Sequence, residues 1–151
     1  MNCGIATVVE QVVVQLLTEI GELWRAGDLR IAHEHMATAV LRSSLGNMLD
    51  TFHPSEFAPL LIVTTPLGQF HELGALIVAI VAATEGWRAL YLGPNLPATE
   101  IAGSAFQSNA AAVALSIVFP PDDPRIGVEL LALRKALGST PLIVGGRDAM
   151  A

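Results

Sequence analysis

The chain has 151 residues, 52% of them hydrophobic and 15% charged, with a formal net charge of −6. That balance fits one well-buried globular domain with at most a small appendage, and it excludes a disordered chain. The eight Lys and Arg residues are scattered, so no basic patch supports direct nucleic-acid binding by this chain.

A single cysteine, Cys3, excludes an internal disulfide framework and suits a reducing compartment. The amino terminus has no positive region ahead of its apolar residues, and Glu10 interrupts them, so a signal peptide is not expected. The longest uncharged apolar run, Leu73 to Ala83, is about half the roughly 20 residues a membrane span requires. The expectation is a soluble, cytoplasmic chain with no membrane partner.

The first predicted element, Ile5 to Ala26, places Val9, Val12, Val13, Leu16, Leu17, Ile20, Leu23 and Trp24 at helical spacing. Gly27 ends it, and Asp28 is a natural N-cap for a second helix from about Leu29 to Asp50. Ile31, His35, Thr38, Leu41, Leu45 and Leu49 lie near one stripe of that helix. A turn of a residue or two makes the pair antiparallel. Two helices cannot bury stripes this wide by themselves. They must pack on the following domain, on another chain, or on further helices.

Residues 53–59, with Pro54 and Pro59 and no periodicity, form a linker. The domain reading is therefore a partial helical cap over 1–52, the linker over 53–59, and an α/β domain over 60–151. Strands are predicted at Leu60 to Thr65, Trp87 to Leu92, Ala111 to Val118 and Pro141 to Val144. Helices alternate with them at Glu72 to Thr84, Pro97 to Ser108 and about Arg125 to Leu137. This alternation predicts a parallel, flavodoxin-like (Rossmann-like) sheet with right-handed crossovers. A five-stranded version would still need its last helix–strand–helix portion after Ala151, so the expectation is a C-terminally truncated sheet.

Leu60 to Thr65 reads as a strand buried on both faces, and a Pro/Gly loop after it presents His71. Ligands of open α/β sheets bind at such carboxyl ends. On position alone, His71 is either a ligand or a polar loop residue capping the next helix. Trp24, at the end of an apolar stripe, is either core or a lid over a ligand. His33 and His35 stand two apart on a helix and cannot chelate one ion. Asp122 and Asp123 offer a cation site or, more simply, a solvated turn. No Ser-His-Asp set, phosphate-binding glycine loop or paired-cysteine motif is present.

Three loops and one helical pattern carry a resemblance. Gln69-Phe70-His71-Glu72-Leu73-Gly74 resembles the Asp-x-His-x-x-Gly loop of cobalamin-binding domains, with Gln69 where an acid is usual. Ser116-Ile117-Val118 resembles their Ser-x-Leu signature, and Gly145-Gly146 their Gly-Gly pair. Upstream, Trp24 followed after nine residues by Glu34-His35 resembles the helical cap of MerR-type, adenosylcobalamin-dependent light-sensing regulators, the CarH type.

The resemblance implies cobalamin bound base-off with His71 as the cobalt ligand. Ser116, Val118, Gly145 and Gly146 would contribute to the slot for its nucleotide tail, Gly74 would let the helix pack close to the corrin, and Gly68, Gln69 and Leu73 would also bind the cofactor. Trp24, Glu34 and His35 would cover its upper face. Adenosylcobalamin is the favoured form and methylcobalamin the other. The implied role is a cofactor- or light-sensing regulatory domain, not an enzyme, working as a homo-oligomer or with a regulatory protein. The alternatives are a corrinoid carrier for methyl transfer and a degenerate interaction module without cofactor. Family members also carry two more helices and a DNA-reading domain ahead of this pair.

Overall fold

The computed structural model describes residues 3–118, 120 and 123–146. Helix α1 (Cys3–Val8) runs through a π-helical segment (Val9–Val13) into α2 (Val14–Ala26), and α3 (Ile31–Leu49) returns beside it. Four strands then alternate with three helices: β1 (Leu60–Thr64), α4 (Leu73–Thr84), β2 (Arg88–Tyr91), α5 (Ala98–Gln107), β3 (Ala112–Ser116), α6 (Pro124–Leu137) and β4 (Leu142–Gly145). All pairings are parallel and the order is β2-β1-β3-β4. This is the flavodoxin-like winding, whose direction reverses between β1 and β3.

Strand β1 is buried at all five positions because it serves two cores. Ile62 joins Val113, Leu115, Ile101, Ala105, Leu133 and Leu137 under α5 and α6. Leu61 and Val63 face the other way, with Ala112 and Ala114, against Ala75 and Ala79 of α4. The alanines let α4 lie close to the sheet. Its outer side, Leu76 and Ile80, is buried in turn with Leu45 of α3 and Val9.

The helical hairpin departs from its predicted form in two ways. Residues 27–30 separate α2 from α3, and the N-cap of α3 is Arg30, with extended backbone and no side-chain cap bond. Asp28 is not the cap, because Gly27 in the left-handed region closes α2 and the Asp28 N–H is used on Leu23 O at 3.0 Å. The first helix is also not uniform: the π-helical segment interrupts it and carries Val9 into the core. Its apolar stripe is covered at Val9, which packs with Leu76 and Ile80 of α4, and is left open along α2. Helix α2 has no buried residue, and Leu16, Ile20, Met36, Ala37, Val40 and Leu41 line an apolar groove between α2 and α3. No helix among the described residues is long and apolar enough to cross a membrane.

Candidate functional site

The loop between β1 and α4 is built from contacts to two other loops. Thr65 Oγ1 donates to Gln69 O and accepts from the Asn95 N–H at 2.8 Å. Asn95 Oδ1 accepts from the Gly68 N–H at 2.8 Å, with Asn95 itself held at φ +64°. From the other side, Gln69 reaches the segment after β3. Its Nε2 donates to Pro120 O at 2.8 Å, and its Oε1 accepts from the Val118 N–H at 3.0 Å. The side chain is almost fully buried, so these bonds replace water. One donor and one acceptor on one planar group is what a carboxamide supplies and a carboxylate does not.

Gly68 is required by its surroundings. It sits at φ +88°, and a Cβ there would lie 2.9 Å from Asp123 Oδ2. Asp123 caps α6 through the Arg125 N–H at 2.9 Å and pairs with the Arg125 guanidinium at 2.6 Å. Those hydrogen bonds, the side-chain ones first, hold the Asp123 carboxyl below the usual carboxylate range. Asp122, the other half of the suggested cation turn, lies outside the described residues.

The glycines after the His loop and at the end of β4 have distinct causes. A Cβ on Gly74 would lie 2.6 Å from Ser116 Oγ, so the first turn of α4 rests directly on the end of β3. Gly146, at φ +133°, lies against the Ile117 backbone, where a Cβ would collide with the carbonyl. Gly145 is different: a Cβ there meets nothing within 4 Å. Leu73 and Val118 are half-buried beside this region. Gly68, Gln69, His71, Leu73, Gly74, Ser116, Val118, Gly145 and Gly146 thus gather at the carboxyl ends of β1, β3 and β4. His71 is exposed at the rim.

Trp24, Glu34 and His35 sit at the closed end of the α2–α3 hairpin. Trp24 occupies the last turn of α2 and is 48% exposed. Glu34 is in the first turn of α3, where its carboxylate meets His35 Nδ1 at 2.9 Å and accepts from Thr38 Oγ1 at 3.0 Å. Further along, Arg42 Nε donates to Glu72 Oε1 at 2.7 Å, and Leu45 enters the cluster with Leu76 and Ile80. These contacts run α3 alongside α4 in the same direction. The eight residues from Glu34 to Arg42 span roughly 12 Å, so the hairpin tip stands beyond the carboxyl edge that carries His71. An open groove of about 860 Å³ elsewhere, along β2 and the end of α3, is lined by none of the site residues expected from sequence.

Glu72, Arg42, Tyr91, Thr65 and Asn95 are absent from the sequence-based site. Glu72 accepts from Arg42 and, through Oε2, from the Tyr91 hydroxyl. Burial first, then the hydrogen bond to and charge of Glu72, push the Tyr91 hydroxyl above its ordinary range, against the opposing charge of Arg42. The only sequence signals were an acid next to His71 and an Asn in the Gly-Pro-Asn turn.

Comparison with known proteins bears on the helical part first. Residues 3–48, which hold α1, α2 and nearly all of α3, match the family model described as B12 binding domain. The HTH-type transcriptional repressor CarA of Myxococcus xanthus is 32% identical over 121 residues, covering 80% of this chain and 42% of that protein. CarH, an HTH-type transcriptional repressor of the same organism, is 28% identical over 141 residues, covering 93% and 47%. The chain is a homologue of these repressors.

Relative to CarA and CarH, the chain spans less than half of either protein's length. The match of 3–48 to the B12 binding domain includes Trp24, Glu34, His35 and Arg42, and does not extend to the sheet. A crystal structure described as a novel cobalamin-binding protein from Desulfitobacterium hafniense aligns with 94% of this chain and 78% of its own, at TM-score 0.48 and 19% identity.

Proposed function

We propose that this chain binds a cobalamin between the hairpin tip and the carboxyl edge of the sheet, and acts as a regulatory sensor of it. His71 would hold the cobalt from below, as neutral imidazole. Gly74, Ser116, Gly145 and Gly146 would receive the nucleotide tail, and Trp24, Glu34 and His35 would cover the upper face. The reading rests chiefly on one observation: α3, fixed to α4 through Arg42 and Leu45, stands its tip out past the edge on which His71 lies.

The residues present fit such a group. Among the described residues, no three His, Cys, Asp or Glu side chains come together as a metal site. A single imidazole suits a metal that arrives with ligands of its own. Open space at Gly145 beside the tightly packed Gly146 suits a slot at the edge of the sheet. The cofactor would supply cobalt with its equatorial nitrogens and, in the adenosyl form, a light-labile cobalt–carbon bond. Homology to two repressors supports regulation as the role. The Trp24 and Glu34-His35 pattern, which resembles that of adenosylcobalamin-dependent regulators, supports the adenosyl form.

The test is a dark titration of the purified chain with adenosylcobalamin and with methylcobalamin, followed by absorption. Binding is expected with the spectrum of a base-off, histidine-ligated cofactor, tighter for the adenosyl form. His71→Ala should weaken it and leave the yellow base-off spectrum. Equal affinity and an unchanged spectrum in His71→Ala would remove the axial role.

A further inference from the structure

Glu72 follows His71 directly and is the N-cap residue of α4. An acid at that place ordinarily caps the helix or complements its dipole. Here it makes no side-chain cap bond. Both carboxylate oxygens turn away from the helix, Oε1 to Arg42 of α3 and Oε2 to the hydroxyl of Tyr91, the last residue of β2. The Glu72 side chain is only 14% exposed although that of Arg42 is 55% exposed, and a carboxylate accepting from a guanidinium is among the stronger hydrogen bonds.

Arg42 in turn stands on a polar ridge of α3. Glu34, Thr38 and Arg42 are spaced four apart and so share one face of the helix. The ridge starts at the hairpin tip, where Glu34 engages His35 and Thr38, and ends on Glu72. A carboxylate gripped by α3 and by β2 fixes the peptide that carries His71. We propose that Glu72 is a positioning residue for His71, and that the Arg42 tether makes the placement of the imidazole depend on the docking of α3. The inference rests on the cobalamin reading for its consequence, and on geometry alone for the tether.

The test uses the full chain, with methylcobalamin as the probe, and two readouts. The first is affinity and spectrum in Arg42→Gln, Tyr91→Phe and Glu72→Ala, each checked for folding by circular dichroism. Arg42→Gln and Glu72→Ala should each weaken binding roughly tenfold, as loss of a partner behind a metal ligand typically does. The double variant should bind no worse than Glu72→Ala, and Arg42→Lys should recover part of the loss. The second readout needs no cofactor: the ¹H–¹⁵N signals of the His71 imidazole should move in Arg42→Gln. If Arg42→Gln fails to fold, Tyr91→Phe, which removes one hydroxyl, carries both readouts. Wild-type affinity together with unmoved imidazole signals would overturn the tether. If the wild-type chain itself does not bind methylcobalamin through His71, the cobalamin reading falls, and the imidazole signals alone decide the tether.

Discussion

The Val118 N–H donates to the side-chain carbonyl of Gln69 at 3.0 Å, tying the loop after β3 to the loop after β1. The amide of the same side chain is spent on Pro120 O. In Gln69→Glu, shape is kept but one oxygen must face a carbonyl. That costs about 1–3 kcal/mol at neutral pH. The new buried carboxyl favours its protonated form in the folded state, so its folded pKa lies above the unfolded value of about 4.3. Stability is then intact below the unfolded value and lost as pH rises through the folded one. Urea midpoints of variant and wild type should coincide at about pH 4 and separate at about pH 7.5. Separation that does not change with pH would contradict the donor role of Gln69.

Gly74 and Ser116 form a second close pair. Gly74→Ala sets a methyl 2.6 Å from Ser116 Oγ and should destabilise the fold by about 1–3 kcal/mol. Ser116→Ala in the same chain removes the obstructing oxygen. Chemical denaturation of the two single variants and the double should show strong non-additivity, with most of the stability restored.

The two glycines after β4 should respond in opposite ways. Gly146→Ala meets the Ile117 carbonyl at an unfavourable φ and should lose about 1–3 kcal/mol. Gly145→Ala enters open space and should shift stability by no more than roughly 0.5 kcal/mol. In a methylcobalamin titration it should nevertheless bind less well, because its methyl occupies the proposed slot. Unchanged binding in Gly145→Ala would argue against the tail lying there.

Asp123→Asn keeps a cap acceptor for α6 but loses the ion pair with Arg125. The Asp123 carboxyl is held low in the folded chain, so its contribution is full above the unfolded value of about 3.9 and is lost as pH falls through the lowered folded value. The urea midpoints of wild type and Asp123→Asn should differ at neutral pH and converge as acidification passes below the lowered folded value.

The strands were legible because β1 and β3 are buried on both faces and read as unbroken apolar runs, and the alternation with helices then dictates the winding. The glycines and Ser116 stood out in the sequence as motif positions, although Gly146 is also demanded by its positive φ and its packing on the Ile117 backbone just after β3. What sequence could not show was partnership at long range. The partners of Gln69 stand 49 and 51 residues away, and those of Glu72 are 30 and 19 away. Gln69 therefore read as a defect in a motif, when it is the bolt between two loops. The π-helical segment left no mark either, since its valines satisfy an α-helical pattern equally well.

Helix α4 carries no charged residue between Leu73 and Thr84, and it is covered by the sheet on one side and by α3 on the other. Lifting α3 off would wet Leu76, Ile80 and Leu45 together, at about 1.5–3 kcal/mol for each side chain. Under the proposed function, the least costly rearrangement of the hairpin therefore leaves its root in place. The motion open to it is a swing of the tip, with the stretch from Arg42 to Leu49 as the pivot. Trp24, at the far end of that lever, would travel furthest for the least exposure of oil to water.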